Sequence, residues 1–380
     1  MKPSVIKYIG YYTDPLVTPS RSVPLAGRNK MDYTIGVLTR LFDGVEIISP
    51  ACIKRGEPGC NSSVTSLGGK VRLKLFSMLG CRNRLIASLN CRLVKLKLLL
   101  YLLRHTRKDE PVLVYHSLVI SDVILLAKRL RKFKLILELN EIYSDVPGIM
   151  EGRRKDEMKI IGKADAFLFP NDQMNGMFNT EDKPFAVEYG IYTPAVRMAE
   201  KFDDGKIHVI YAGTFDHAKG GAAAALGAAA CLPENYHLHI LGFGNATQTD
   251  EIIRTVERIN TLGKCSVSYD GMLDGEEFLK FLQRCHIGLS TQNPDAAFNA
   301  TSFPSKILTY LANGLQVVSI DIPAISDSRL SGDITFYRTQ TPEAIAAAIM
   351  EVDTFEPHDA LLKRLDAELT TDIRHLYESI

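Results

Sequence analysis

Lys306 lies in the segment Phe303-Pro-Ser-Lys-Ile-Leu-Thr-Tyr-Leu-Ala-Asn-Gly314, whose pattern predicts a short helix with a cationic beginning. Pro304 suits a helix start, where a missing N–H costs nothing. Ile307, Leu308 and Leu311 repeat at helical spacing, Gly314 fits a left-handed cap, and Leu315-Gln-Val-Val-Ser319 reads as a buried strand. A helix opening on Ser305 and Lys306 offers free backbone N–H groups, the positive end of its dipole and an ammonium group. Together these make an anion site. The plainer alternative is an ordinary loop–helix–strand unit with a solvated lysine.

A second cationic turn lies upstream. Strand Ile207–Ala212 runs into Gly213-Thr-Phe-Asp-His-Ala-Lys219-Gly220-Gly221, followed by an alanine-rich helix. Glycines at a strand-to-helix turn let backbone approach a phosphate closely, and a lysine adds a full charge. The spacing is neither a Walker A loop nor G-x-G-x-x-G. Gly242-Phe243-Gly244 and Gly271-Met272-Leu273 each follow a further strand and read equally well as ordinary turns.

These segments resemble the donor side of retaining nucleotide-sugar glycosyltransferases of the GT-B fold, family 4 type, of the bacterial surface polysaccharide kind. There the pattern FPSK…YLA.G…VV is common. The likeness covers most of the C-terminal half and, more faintly, the N-terminal half. It implies that Lys219, Ser305 and Lys306 hold a donor diphosphate, with Gly213, Thr214, Gly242 and Phe243 along the same edge and Met272 and Leu273 near the nucleobase. Two departures stand out. The family places an arginine after the strand-end glycine, where this chain has Thr214; Lys306 or His217 could substitute. Its two glutamates, which contact donor sugar and ribose, fall on Thr301 and Thr309, which accept hydrogen bonds without charge. Asp295, upstream, is an acid within reach of the sugar.

For the first half the same reading gives His116, ending strand Val112–His116, a role in sugar contact or proton movement, and Glu141 a role toward the acceptor hydroxyl. A satisfied strand-end histidine and a cap or ion-pair carboxylate are the structural alternatives. Gly10, Arg21 and Arg28 are expected near phosphates or acceptor. Catalysis is expected to rest on His116, Glu141 and Lys219. No metal and no cofactor is expected, the nucleotide-sugar being a substrate.

Strand-like and helix-like segments alternate along all 380 residues, which argues an α/β architecture. The expectation is two Rossmann-like, doubly wound parallel-sheet domains facing a central cleft: residues 1–190 for the acceptor and 191–358 for the donor. A last helix, about 359–380, packs back on the first. Predicted helices in the first half include Val71–Leu79 and Leu85–Leu103. Seven cysteines, without C-x-x-C spacing, read as buried thiols of a reducing compartment. With no signal-peptide pattern and a net charge of +1, a cytoplasmic protein is expected.

Between Glu57 and Asp109 there is no acidic residue, but eleven lysines and arginines. Leu85, Leu89, Leu93, Leu96, Leu100 and Leu103 fall on one helical face, read as packed inward on the sheet with the cations outward. Segment 70–108 is accordingly expected to meet an anionic membrane surface, placing the protein at the inner face of the membrane. Nucleic acid is not an expected partner, because no aromatics are interleaved for stacking. The partners expected are a nucleotide-sugar and a saccharide or lipid-linked acceptor. The alternatives are a catalytically impaired GT-B scaffold partnering another transferase, and a sugar-nucleotide epimerase.

Overall fold

Apolar, β-branched runs such as Val112–Val114 and Val317–Val318 can satisfy their backbone only in a sheet covered on both faces, and the chain builds two of them. The computed structural model describes residues 5–145, 151–217 and 219–380. One compact unit comprises Met1–Pro170, Met174–Glu188 and Leu369–Ile380, the other Asn171–Gln173 and Tyr189–Glu368.

The first unit runs β1 (Val5–Ile9), α1 (Leu25–Leu41), β2 (Gly44–Ser49), β3 (Ser63–Ser66), β4 (Val71–Leu75), α2 (Arg84–His105), β5 (Pro111–Tyr115), α3 (Ser121–Arg131), β6 (Lys134–Glu138), α4 (Arg154–Lys163), β7 (Ala166–Phe169), α5 (Gln173–Phe178), β8 (Phe185–Val187). Its sheet order is β3-β4-β2-β1-β5-β6-β7-β8, parallel except for the antiparallel edge strand β3. Ile9, Val112, Val114, Leu135 and Leu137 fill the core together with Val94, Leu98 and Leu102 of α2.

The second unit runs β9 (Ile207–Thr214), α6 (Gly221–Ala229), β10 (Tyr236–Phe243), α7 (Ala246–Leu262), β11 (Ser266–Gly271), α8 (Gly275–Arg284), β12 (Ile287–Ser290), α9 (Ser305–Ala312), β13 (Gln316–Ile320), α10 (Pro323–Ser326), β14 (Thr335–Tyr337), α11 (Pro342–Met350), α12 (Asp359–Glu378). The order β11-β10-β9-β12-β13-β14 is all parallel. This is the doubly wound arrangement whose chain direction reverses between β9 and β12. Ligands of such sheets bind at that point, beyond the strand C-termini. Across the strands a chain of polar side chains is satisfied internally: His208 bonds Asp204 at 2.9 Å and His239 at 2.8 Å, and His239 bonds Asp270 at 3.0 Å.

Two expectations need correction. Val71–Leu75 is a strand, not a helix: it pairs in parallel with β2, which buries Leu73 and Leu75 and leaves Arg72 exposed. Helix α2 exists as expected but with the opposite face inward. Its buried residues are Asn90, Val94, Leu98 and Leu102, an i, i+4 series. The leucines expected inside, Leu85, Leu89, Leu96 and Leu100, are 82%, 44%, 51% and 56% exposed. Asn90 fixes this choice by accepting from the Leu79 N–H at 2.9 Å and donating to the Leu79 carbonyl at 2.8 Å. No cysteine is bridged; Cys81, Cys265 and Cys285 are buried, whereas Cys231 is exposed. Among the described residues no helix is long and apolar enough to cross a membrane.

Candidate active site

Helix α9 begins at Ser305 after Pro304, with no side-chain cap and no acidic residue in its first turn. Among the described residues the Ser305 and Lys306 N–H groups have no backbone partner, as an uncapped helix start leaves them. The helix ends on Gly314 at φ +75°, with Gly314 N–H to the Leu311 carbonyl (3.1 Å) and Leu315 N–H to the Tyr310 carbonyl (3.1 Å). That is the Schellman cap expected from the glycine. Tyr310, fully buried, lies against Gly288 of β12, where an added Cβ would fall 2.3 Å from its ring. Its hydroxyl accepts from the Ala212 N–H at 2.9 Å. One tyrosine thus ties α9 to both strands of the switch point.

Lys306 is brought back over the end of β9. Its ammonium stands 4.2 Å from the Tyr211 ring centroid and 3.2 Å from where a Cβ on Gly213 would be. Burial, then the nearby positive charge of Lys219, lowers its pKa to about 8. Two ammonium groups near enough for one to lower the other's pKa are an arrangement that an anion relieves. Gly220 takes the left-handed conformation (φ +66°) and opens α6, whose first turn carries no acid. Gly221 is required by Tyr211, whose ring would lie 2.7 Å from an added Cβ. Lys219 is exposed, and its carbonyl accepts from Asn293 N–H at 2.8 Å. Gly213, Lys219, Gly220, Gly221, Ser305 and Lys306 therefore form one cationic cradle at the switch point, with Asp216 a carboxylate close enough for its charge to reach Tyr211.

Other expected donor residues are placed more variously. Thr214 is half-buried beside the cradle, paired in register with Phe243, which is 53% exposed. Gly242 pairs with Gly213 and has φ +139°. Met272 is 63% exposed and Leu273 half-buried, after Gly271 at φ +77°. Thr309 donates back to the Ser305 carbonyl at 3.1 Å, which leaves only its lone pairs for a ligand. Thr301 is buried, its hydroxyl without a partner among the described residues. Of the two proposed stand-ins for the missing arginine, Lys306 reaches the strand-end glycine. His217 is instead turned onto Glu251, 3.2 Å away. Tyr211 and Tyr310 were not anticipated: strand alternation gives the face of the first and helical spacing that of the second, but nothing in the spacing says that glycines lie beneath them. A cavity of 550 Å³ between α6 and α7 touches Gly220 but lacks Lys306, Gly213 and Lys219.

In the first unit, His116 is corrected. It is 1% exposed, stacked on Tyr143 at 5.0 Å, with Nε2 3.7 Å from Glu157. Burial lowers its pKa to about 4, which keeps the ring neutral, and neither ring nitrogen has a hydrogen-bond partner among the described residues. Glu157 is engaged in capping the Tyr143 and Ser144 N–H groups at 2.9 and 3.1 Å. Arg21 is corrected likewise. It is 5% exposed and donates to the Phe76 carbonyl (2.6 Å) and the Ala51 carbonyl, cross-linking loops instead of meeting a ligand. Glu141 is half-buried, and its charge adds to burial in raising the pKa of the Tyr115 and Tyr143 hydroxyls. Arg28, in the first turn of α1, lies 3.7 Å from Asp32. Gly10 lies under the Met31 side chain, whose Cε is 2.7 Å from the Cβ position and would have to move for any larger residue.

Two further carboxylates, Glu138 and Glu188, are fully buried in this unit. Tyr8 donates to Glu138; Thr34 reaches Glu188 at 3.3 Å and Lys30 Nζ lies 4.0 Å from it. Burial outweighs Lys30 and lifts the Glu188 pKa to about 8. The folded unit thus keeps a proton that the unfolded chain has released above the usual carboxylate range. This carboxylate's contribution to stability accordingly falls as pH rises from about 4.5 toward 8. Glu188→Gln should remove that slope: its urea midpoint, level with the parent's near pH 4.5, should exceed it at pH 8.

No family model matches the chain. A 125-residue segment, 32% of this chain, is 26% identical to the chitobiosyldiphosphodolichol beta-mannosyltransferase of Candida albicans. The match spans about a quarter (26%) of that relative's length. Among solved structures, alpha,alpha-trehalose 6-phosphate synthase from Burkholderia multivorans aligns at TM-score 0.61 and 11% identity, over 99% of this chain and 95% of that one. The E. coli trehalose-6-phosphate structure bound with UDP-2-fluoro glucose aligns at 0.62 and 12% identity, covering 98% and 97%. Anabaena HepE in complex with UDP and glucose aligns at 0.59 and 11%, also covering 98% and 97%. At such identities the likeness is one of architecture, and two Rossmann-like units with these strand orders give this chain the GT-B glycosyltransferase fold.

Proposed function

We propose that the protein is a glycosyltransferase that takes a sugar from a nucleotide-sugar bound in the second unit. The observation that carries this reading is the meeting of Lys219, Lys306, Gly213 and two uncapped helix starts at the β9/β12 switch point. Departure of a nucleoside diphosphate develops charge on its oxygens, and preorganised cations and amides facing that charge lower the barrier. The acceptor is a saccharide or lipid-linked saccharide at the first unit, with Glu141 and Arg28 the residues left to orient it. Retention and a place in surface polysaccharide synthesis follow from the resemblance of the FPSK segment.

The test is turnover with UDP-, GDP- and dTDP-sugars. Lys219→Ala should abolish transfer with the circular dichroism and melting temperature unchanged. Unchanged turnover in that variant would refute the assignment. The buried Thr301 and the back-bonded Thr309 motivate one rival, a GT-B scaffold without catalysis. Calorimetric titration separates the two, because a scaffold binds none of the nucleotide-sugars.

A further inference from the structure

Helix α2 has 22 residues and two apolar faces. One, Val94, Leu98 and Leu102, is in the core; the other points to solvent. Leu85, Leu89, Leu96 and Leu100, at i, i+4, i+11 and i+15, fall on one side along about 22 Å of helix, with exposed Arg92 among them. A row of half-to-fully exposed leucines this long on one helix is not a scatter of surface side chains.

The charges around the stripe select its partner. Arg82, Arg84, Arg92 and Arg104 are all exposed and have no ion pair among the described residues. Lys95 is bound to Asp122 at 2.6 Å, which neutralises the acid on the adjoining helix, and Lys97 is held by the Ser77 carbonyl at 2.7 Å. From residue 58 to 108 the chain offers no carboxylate. A second copy of the helix would bring arginines against arginines. A nucleic acid would reward the arginines but leave the leucines in water. A bilayer with anionic headgroups satisfies both, leucines entering the acyl boundary and arginines staying at phosphate level.

We propose that α2 is an in-plane membrane anchor, its Leu85–Leu100 stripe inserted into an anionic lipid surface. The proposal does not depend on the transferase reading, because binding is measured with neither donor nor acceptor present. Flotation with phosphatidylcholine vesicles containing phosphatidylglycerol should carry the protein up, and pure phosphatidylcholine should carry far less. Leu89→Glu with Leu96→Glu should cut partitioning on the order of 100-fold. Both sites are on the exposed face, and an unchanged melting temperature shows that the fold is kept. Arg84→Gln with Arg92→Gln should weaken binding about tenfold and remove most of its salt dependence. Equal flotation of parent and double-glutamate protein would overturn the proposal. So would a dimer that dissociates in that variant while vesicle binding is absent throughout, since a second copy would then cover the stripe.

Discussion

Lys306→Ala is expected to lower sugar transfer by on the order of 10²–10³-fold, the cost of removing one preorganised donor from a site of developing negative charge. The same substitution should raise the melting temperature of the unliganded protein. Burial and Lys219 together hold the Lys306 pKa down at about 8, so keeping it charged at neutral pH works against the fold. Its contact with the Tyr211 ring offsets only part of that cost. Lower activity with higher stability is the signature of a residue placed for its ligand. Anion binding pulls a proton onto Lys306, so donor affinity in the parent should fall as pH rises through about 8, and the alanine variant should lose that dependence. Lys306→Arg should not rescue, because the larger planar guanidinium does not reproduce the ammonium's seat over the Tyr211 ring at the end of β9. Wild-type rates in Lys306→Ala would remove the cradle from the mechanism.

Gly242→Ala is expected to be the most damaging single-methyl change in the second unit. The new Cβ would lie 1.7 Å from the Gly213 carbonyl oxygen, at φ +139°. The clashing atom is backbone, and it is held by the parallel register that pairs Gly242 with Gly213. The strand ends must separate, and with them the floor on which Lys306 stands. A loss above about 4 kcal/mol, seen as aggregation or a collapsed melting transition, and no nucleotide binding are the expected results. Gly271→Ala is the control. It has φ +77° but open space around its Cβ position, so its cost should be only the conformational one, about 1–2 kcal/mol. Similar losses in both would mean that backbone angle, not the Gly213 contact, governs the first.

The second unit was legible because its central strands are apolar and buried, its turns carry glycine, and its helix caps are local. Ile207–Thr214, Gln316–Ile320 and the Gly314 cap depend on neighbours a few residues away. Residues whose role depends on distant packing were not legible. His116 and Arg21 are polar residues near strand ends, where functional residues gather, yet their partners come from segments 30 to 55 positions off. In α2 the pattern itself is ambiguous, because a helix with leucines all round gives no preferred side until Asn90 finds Leu79. At Val71–Leu75 a five-residue Val-Arg-Leu-Lys-Leu fits either period, and pairing with β2 settles it.

Helix α12 belongs to both units: its residues to Glu368 count with the second, while Leu369, Ile373 and Leu376 are buried in the first and Tyr377 packs edge-on against Phe42 at 4.9 Å. During synthesis, therefore, the earlier-made unit stays unfinished until residues 369–380 have emerged, although the second unit can close before them. Order of translation and order of completion are reversed in this molecule. An apolar docking place for α12 waits open on the nascent first unit for the time needed to make some two hundred residues, at about 5–20 residues per second. That interval is when the chain most needs a chaperone.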